Sequence, residues 1–483
     1  MATSTPNDPA ATRAAKNAAN TAAPTLVLLA AAVGFFMVIL DTTVVNVALG
    51  RIQSTFDAGV NGLEWVVDAY ALVFAGLLLA GGALGDRFGV RRLFATGLAT
   101  FTAASVACGA APSLGTLIAA RVLQGVGAAL LLPASLSALR HAYPNAQARS
   151  RAVGLWTTAG SAGLAIGPVI GGVLVDTLGW RSIFWLNLPV GLVAIALVRR
   201  AVAPGTTHAA AERVNVPGQL AGVAGLSALA FALIEGPAQG WTASPVLIAG
   251  AVALIGLVAF VVLERTHEPP LIPLRLWRNH GFSAATSIGF IVNFSFYGLI
   301  FFLGLFLQQY RHLSPLRTGL LFLPLTASVI AANLLSGPWM AKHGPRAPMR
   351  TGHLIALAGF AGLALRGATG GDAEFMGYLL VVGFGTGLVV PSMVAAVMAA
   401  APTQDAGIAA GALNTSRQIG GVFGVALLGS LVATTHDYPF AMRAGGLGAG
   451  LLLLLGLALT LGFVKAGWPA GHTGEWERAL VIE

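Results

Sequence analysis

The chain has 483 residues, of which 56% are hydrophobic and only 9% are charged, whereas about a quarter of the residues are charged in ordinary soluble domains. This number of charged residues is too small to form the surface of a soluble protein of this size, and the sequence therefore predicts an integral membrane protein. The high hydrophobic content also excludes intrinsic disorder. The single cysteine, Cys108, excludes a disulfide framework. The net charge of +9 comes from short basic clusters between apolar runs, as in cytoplasmic loops, and we expect no nucleic-acid partner.

Fourteen apolar runs are long enough to cross a bilayer as helices, which takes about 20 residues each. They lack the strict alternation of β-barrel strands. We therefore predict an all-α polytopic membrane protein with 14 transmembrane helices arranged as 6 + 2 + 6. In chain order the runs cover residues 25–49, 61–83, 92–110, 114–138, 152–177, 182–199, 216–236, 245–263, 281–308, 317–338, 348–367, 373–401, 406–433 and 444–465.

The lysines and arginines are distributed unevenly between the two sides of these runs. With the N-terminus inside, 19 of the 27 lie in cytoplasmic segments and 6 in outer segments, while Arg121 and Arg417 lie within runs. The positive-inside rule then predicts that both termini are cytoplasmic. Residues 1–24 are expected to be a flexible cytoplasmic tail rather than a signal peptide, and residues 466–483 a second cytoplasmic tail.

The sequence repeats itself at an offset of about 255 residues. This offset predicts a six-helix bundle at 25–199, a linker with two inserted helices at 200–280, and a second bundle at 281–465, as in transporters built from parallel repeats. A shared bias toward glycine is the alternative explanation. The matching pairs are Gly82 and Gly337, Gly89 and Gly344, Arg91 and Arg346, Gly125 and Gly383, Gly127 and Gly385, Pro133 and Pro391, Gly163 and Gly420, and Gly167 and Gly424.

The loop after the second run combines glycines with charges. Its residues Gly82, Asp86, Arg87, Gly89 and Arg91 predict a sharp turn whose acid pairs with basic side chains. Such a pairing would form a latch that stabilises the conformation open to one side of the membrane and breaks in the conformation open to the other side. The alternative is an ordinary cytoplasmic turn.

Three ionisable residues lie within the first half of the predicted bundle. Counting about 1.5 Å per residue puts Asp41, Asp68 and Arg121 at about the same depth, roughly 10–12 Å below the outer ends of their helices. Charges inside a span are costly and usually functional, so we predict that these three couple protons to transport. Permanent pairing that only holds the bundle together is the alternative. Glu64, one turn before Asp68, is expected to be exposed at the outer mouth.

The fifth run carries glycines at helical spacing with a proline among them. Gly163, Gly167 and Gly171 share one face, followed by Gly172, and Pro168 adds a bend. Glycines four residues apart let a neighbouring backbone approach closely, which ordinary helix packing would also explain.

These stretches resemble the conserved motifs of the major facilitator superfamily. Residues 82–92 resemble its motif A, residues 121–127 its motif B, which is linked to proton coupling, and residues 163–172 its motif C, which is associated with antiporters. The resemblance therefore implies that the protein is an antiporter that exports its substrate.

Two further segments narrow the resemblance to the fourteen-helix drug:proton antiporters. Residues 40–49 and 65–70 match that family's signatures, except that Gly50 stands where its first-helix motif ends in proline. Residues 231–242 are most similar to methylenomycin-resistance-like exporters.

The resemblance implies a monomeric proton-coupled antiporter of the bacterial cytoplasmic membrane, whose partners are protons, the lipid bilayer and an amphipathic small molecule such as a drug. No Gly-Lys dipeptide occurs, so there is no Walker A loop, and we predict no enzyme activity, catalytic residue, cofactor or metal. A lipid or metabolite exporter with the same fold and a non-transporting ligand sensor are the alternatives. The predicted substrate-binding residues are Phe36, Trp65, Tyr70, Gln124, Trp156, Asn293, Phe294, Tyr297, Gln308, Asn414, Arg417 and Gln418.

Overall fold

The computed structural model describes residues 9–202, 215–266, 270–402, 405–435 and 437–466, without the side chains of residues 9–23, 79–87, 146 and 150. Within these ranges all regular structure is helical, as predicted. The helices are α1 Pro9–Phe56, α2 Val60–Phe88, α3 Val90–Gly109, α4 Leu114–Ala142, α5 Ala146–Leu178, α6 Ser182–Trp185, α7 Asn187–Ala201, α8 Val216–Gln239, α9 Ser244–Thr266, α10 Leu274–Trp277, α11 His280–Leu305, α12 Pro315–His343, α13 Arg346–Arg366, α14 Asp372–Ala400, α15 Ala406–Thr435 and α16 Tyr438–Phe463.

Twelve segments among the described residues are long and apolar enough to cross a membrane, two fewer than the fourteen predicted. The two predicted runs outside this set are α3 and α13, with 20 and 21 residues. Both are long enough, but arginines at their ends lower their mean hydropathy: Arg91 and Arg92 in α3, and Arg346, Arg350 and Arg366 in α13.

Three helix boundaries differ from the predicted ones. The first helix starts at Pro9, inside the expected tail, because the segment is rich in alanine, the strongest helix former. The sixth run is interrupted at Leu186, between α6 and α7. The ninth run continues beyond α11 in a π-helical turn at Phe306–Tyr310. Residues 467–483, which make up all but the first residue of the predicted C-terminal tail at 466–483, lie outside the described ranges.

The glycines at the repeat offset make equivalent contacts in the first half of the chain, α1–α7, and in the second half, α11–α16. A Cβ at Gly127 in α4 would collide with the α3 backbone at Phe101, and one at Gly385 in α14 with the α13 backbone at Ala356. The same holds for Gly125 against Tyr70 and Gly383 against Leu325, and for Gly163 against Phe36 and Gly420 against Phe290. The fourth pair differs, because a Cβ at Gly167 would collide with the Thr43 side chain of α1, whereas one at Gly424 would collide with the α11 backbone at Phe294.

The turns after the second helix of each half also correspond. Gly89, which precedes α3, has φ 85°, and Gly344, which follows α12, has φ 72°. Both lie in the left-handed region that favours glycine. Arg91 then donates to the carbonyl of Arg199 near the end of α7, and Arg346 donates to the carbonyl of Leu461 near the end of α16.

Each half packs around its own apolar core. In the first half Phe94 and Phe101 of α3 are completely buried against α4 and α2. In the second half Phe306 of the π-helical turn, Phe360 of α13 and Phe375 of α14 are buried in a separate apolar core. The halves pack on each other through α5 with α12, α2 with α15, and α1 with α11.

Two hydrogen bonds between the halves lie toward one end of the molecule. This end carries the α1–α2 connection at residues 57–59, and we call it the loop-1 end; the opposite end carries the turn at Gly89. At the loop-1 end Gln309 Nε2 donates to Gln53 Oε1 at 2.5 Å, and the Leu316 amide donates to Asp176 Oδ2 at 2.9 Å.

The helices between the halves, α8 and α9, pack tightly on each other at Gly225 and Gly256. Helix α8 also packs on both α2 and α15, where Ala230 forms a small cluster with Leu72 and Val422. The inserted pair therefore lies along the contact between α2 and α15.

Candidate proton-coupling and substrate site

Asp41, in the middle of α1, is the centre of a buried polar cluster. Its carboxylate is fully buried, and Oδ2 accepts a hydrogen bond from Arg121 Nη1 at 2.5 Å. Oδ1 accepts from Gln124 Nε2 at 2.8 Å and from Asn187 Nδ2 at 3.0 Å. Asp41 and Arg121, which were predicted to lie at about the same depth, therefore form a charge pair in the structure, with hydrogen bonds on both carboxylate oxygens.

The Arg121 side chain is fixed by contacts with residues of α1, α2 and its own helix, α4. Its Nη1 also donates to Gln124 Oε1 at 2.8 Å, and its Nε donates to the Val66 carbonyl of α2 at 2.9 Å. The Tyr70 ring lies 4.4 Å from the guanidinium carbon, a cation–π distance. Gln124 and Tyr70, which we predicted to bind substrate, instead surround this arginine.

Sequence reasoning missed two members of the cluster, Ser105 of α3 and Asn187 of α7. Ser105 Oγ accepts from Asn187 Nδ2 at 2.9 Å and from Gln124 Nε2 at 3.3 Å, and donates to the Phe184 carbonyl. The available signal was a polar side chain within an otherwise apolar run, since such groups must find partners in a membrane.

Asp68 does not belong to this cluster in the structure. It is fully buried, yet neither of its carboxyl oxygens has a hydrogen-bond partner among the described residues. Glu64 is also buried, with 1% of its surface exposed, and its carboxyl likewise lacks a partner. Our expectation that Glu64 is exposed at the outer mouth was wrong, because the second half of the chain covers it at Gly429 of α15.

The predicted latch lies only partly within the described structure. Gly82, Asp86 and Arg87 lie in the last turns of α2, within the segment 79–87 whose side chains are outside the described structure. Gly89 forms the turn before α3 and Arg91 donates to α7 at 2.6 Å. The charge pairing predicted for Asp86 therefore stays a prediction.

The glycines of α5 face two different helices. Gly163, Gly167 and Gly171 lie against α1, within the same half. Gly172 lies against the α12 backbone at Leu316, and the carbonyl of Pro168 approaches Gly319 of α12. This segment thus packs closely both within its own half and across to the other half.

Several predicted substrate-binding residues gather around Arg417 of α15. Its Nε donates to Asn293 Oδ1 and its Nη1 to Asn414 Oδ1, each at 3.4 Å. Tyr297 packs beside Gly421, one helical turn from Arg417. Within this group Asn293 is buried, whereas Phe294, Tyr297, Asn414, Arg417 and Gln418 are half-buried.

Four other predicted substrate-binding residues are engaged in packing. Trp65 donates from Nε1 to Glu235 of α8 at 2.8 Å. Trp156 stacks on Phe35 with 3.9 Å between ring centroids. Phe36 lies against Gly163 of α5, and Gln308 lies in the π-helical turn against Gly50 of α1.

No group of three or more His, Cys, Asp or Glu among the described residues could hold a metal ion. A cavity of about 370 Å³ opens where α11, α14 and α16 approach each other, near Arg278, His280 and Lys465. None of the predicted substrate-binding residues lines it.

Two repeated helical halves, the first of which encloses a buried charge pair, are the architecture of a membrane transport protein rather than of an enzyme. The family model of the Major Facilitator Superfamily matches residues 31–425, and the chain belongs to this family. Among solved structures, it resembles the peptide transporter POT in complex with sulfate, with a TM-score of 0.68 at 16% identity over 92% of this chain and 96% of that one.

The relatives at higher identity are resistance and efflux proteins. The methylenomycin A resistance protein of Streptomyces coelicolor is 40% identical over 88% of this chain and 90% of its own length. Its namesake in Bacillus subtilis is 41% identical over 84% and 87%. The multidrug resistance protein Stp of Mycobacterium tuberculosis strain H37Rv is 37% identical over 84% and 76%. The resemblance predicted from the motifs is thereby confirmed.

Proposed function

We propose that this protein is a proton-coupled antiporter that exports amphipathic small molecules, including antibiotics, across a bacterial cytoplasmic membrane by alternating access. The observation that carries the proposal is the Asp41–Arg121 pair. A charge pair buried in a membrane protein is costly, and its position among α1, α2, α4 and α7 lets a proton on Asp41 change the packing of four helices. The names of the relatives support antibiotic export.

In this proposal the chain crosses the membrane fourteen times. Helices α3 and α13 are each about 30 Å long at 1.5 Å per residue, and each packs along a candidate span, α4 or α14. The 19-to-6 distribution of basic residues supports cytoplasmic termini. The loop-1 end then faces outward, residues 25–199 and 281–465 are the two moving bundles, and residues 200–280 carry the inserted pair.

In this arrangement the described state is closed toward the outside, because the halves meet at the loop-1 end. Cargo binds from the cytoplasm between the halves, against the half-buried side chains of Phe294, Tyr297, Asn414, Arg417 and Gln418. The pairing of Asp41 with Arg121 breaks when a proton neutralises the carboxylate, and one charge crossing the membrane potential supplies about 2.3 kcal/mol per 100 mV. The monomer is the transporting unit.

Reconstitution of the purified protein in liposomes tests this function. With an imposed inward proton gradient, we expect uphill movement of methylenomycin A or of an amphipathic dye such as ethidium, together with alkalinisation of the proton-donor side. Asp41→Asn should abolish the gradient-driven movement while retaining measurable ligand binding in detergent.

Asp372→Asn provides a matched control, because Asp372 pairs with Arg311 at the surface and about half of its side chain is exposed. It should transport at the wild-type rate. Gradient-driven transport at the wild-type rate in Asp41→Asn would contradict the coupling role, and binding without any transport by the wild-type protein would favour the sensor.

A further inference from the structure

We propose that the contact between α2 and α15 is an outer gate that closes only when Glu64 carries a proton. The proposal rests on the proposed function for its direction, since it takes the loop-1 end as the outer one. It assigns a proton-linked role to a residue outside the Asp41–Arg121 cluster.

The fit between Glu64 and Gly429 is the first observation. A Cβ at Gly429 would collide with the Glu64 carboxyl group, so the acid of one half is pressed onto the backbone of the other. Farther along the same contact, Leu72 and Val422 cluster with Ala230 of α8, which covers the contact from the side. Closing the two halves at this end therefore buries Glu64 completely.

The surroundings of Glu64 offer no compensation for a negative charge. Its own helix contributes Asp68, one turn away and equally unpartnered. Helix α8 contributes Glu235, which already accepts from Asn61 and Trp65. On α4 the nearest positive charge, Arg121, is paired with Asp41.

The facing helix provides no partner either. The segment of α15 from residue 419 to 435 contains no titratable side chain, and Arg417 lies three turns before Gly429. Burying an unpaired carboxylate costs several kilocalories per mole, whereas a neutral carboxyl group costs far less. The closed contact is thus compatible with a protonated Glu64 and not with an ionised one.

This arrangement gives the transport cycle a direction. When the outer end is open, Glu64 exchanges protons with the external solution. A proton taken from outside neutralises the carboxylate and permits closure, whereas an ionised Glu64 holds the gate open. The protein therefore returns inward only after a proton has replaced the released cargo at the outer side.

Electron-spin distance measurements between the outer ends of the halves test the gate without measuring transport. Spin labels at Ser54→Cys on α1 and Thr434→Cys on α15 occupy exposed positions, and the native Cys108 is buried. In lipid nanodiscs without cargo, we compare the population of molecules that shows the open distance with the population that shows the closed distance. The ratio of the open to the closed population should rise by up to about tenfold per pH unit between about pH 5 and about pH 9, as expected for one linked proton.

Glu64→Gln keeps the shape of the side chain without its charge, so the closed distance should persist across the pH range. If Asp68 also contributes, the pH dependence of the population ratio in this variant should correspond to one linked proton fewer than in the wild type. Glu374→Gln, which alters an acid in the first turn of α14, should retain the wild-type slope. A wild-type ratio independent of pH, or an unchanged slope in Glu64→Gln, would overturn the gate.

A second variant tests the gate even if Glu64→Gln disturbs the folding of the protein. Gly429→Ala places a methyl group against the carboxyl and should shift the labels toward the open distance, and adding Glu64→Ala should restore closure. Failure of this restoration would also count against the gate. Loss of proton-driven transport in liposomes with an intact pH-dependent gate would contradict the proposed function alone.

Discussion

The two halves of the molecule share their backbone contacts and differ in their buried polar groups. The repeat offset aligns Asp41 with Ser295, Arg121 with Leu379 and Gln124 with Val382. Leu379 and Val382 belong to an apolar core, and Ser295 only bonds its own helix at Ile291. The first half thus carries a charge pair where the second half carries ordinary packing.

This difference separates the parts that build the scaffold from those that perform chemistry. The glycine contacts and the arginine at the α7 or α16 carbonyl occur twice because both halves need the same helix packing. Among the described residues, the buried Asp41–Arg121 pair has no counterpart at the equivalent positions of the second half, which instead places Arg417 in a half-buried position with hydrogen bonds of 3.4 Å. Under the proposed function, the first half holds the proton and the second contacts the cargo.

Replacing each arginine by methionine should give the largest contrast between the halves. Arg121→Met leaves the Asp41 charge buried without its partner, and it should lower the free energy of unfolding by about 3–5 kcal/mol and abolish transport. Arg417→Met removes only weak hydrogen bonds and should cost less than about 1 kcal/mol, while changing cargo affinity.

Titration of the solubilised protein with SDS, followed by tryptophan fluorescence, measures both stabilities. Asp41→Asn combined with Arg121→Met should recover part of the lost stability, because no unpaired charge remains. Equal losses for the two single arginine variants would contradict the assignment of different roles to the halves.

The glycine contacts should respond equally in the two halves. Gly127→Ala and Gly385→Ala each force a methyl group against the backbone of the preceding helix, and overpacking of this kind costs about 1–3 kcal/mol. Gly154→Ala in α5, where nothing lies within 4 Å of the added methyl, serves as the tolerated control. The same SDS titration checks the effect, and a large cost in one half only would show that the repeat does not extend to packing energetics.

The sequence predicted the helical fold, the repeat and the common depth of Asp41 and Arg121, because apolar length, glycine spacing and a charge inside a span each have one dominant physical cause. It could not predict that Glu64 is buried, since this depends on how the halves meet rather than on α2 itself. Trp65 and Gln124 were assigned to substrate for a related reason. An aromatic or amide side chain in a span has the same local pattern whether it faces cargo, another helix or a buried charge.

The smallest expected effect concerns Trp65, and it tests whether an aromatic side chain of the first half belongs to the scaffold. Trp65→Phe removes the hydrogen bond to Glu235 and should lower the free energy of unfolding by about 1 kcal/mol, with little change in cargo affinity, because this side chain faces α8. Tyr297→Ala, in the half-buried group beside Arg417, should weaken binding more than it lowers stability. Fluorescence titration with ethidium measures affinity in both variants, and stronger loss of binding in Trp65→Phe than in Tyr297→Ala would place the cargo contacts in the first half instead.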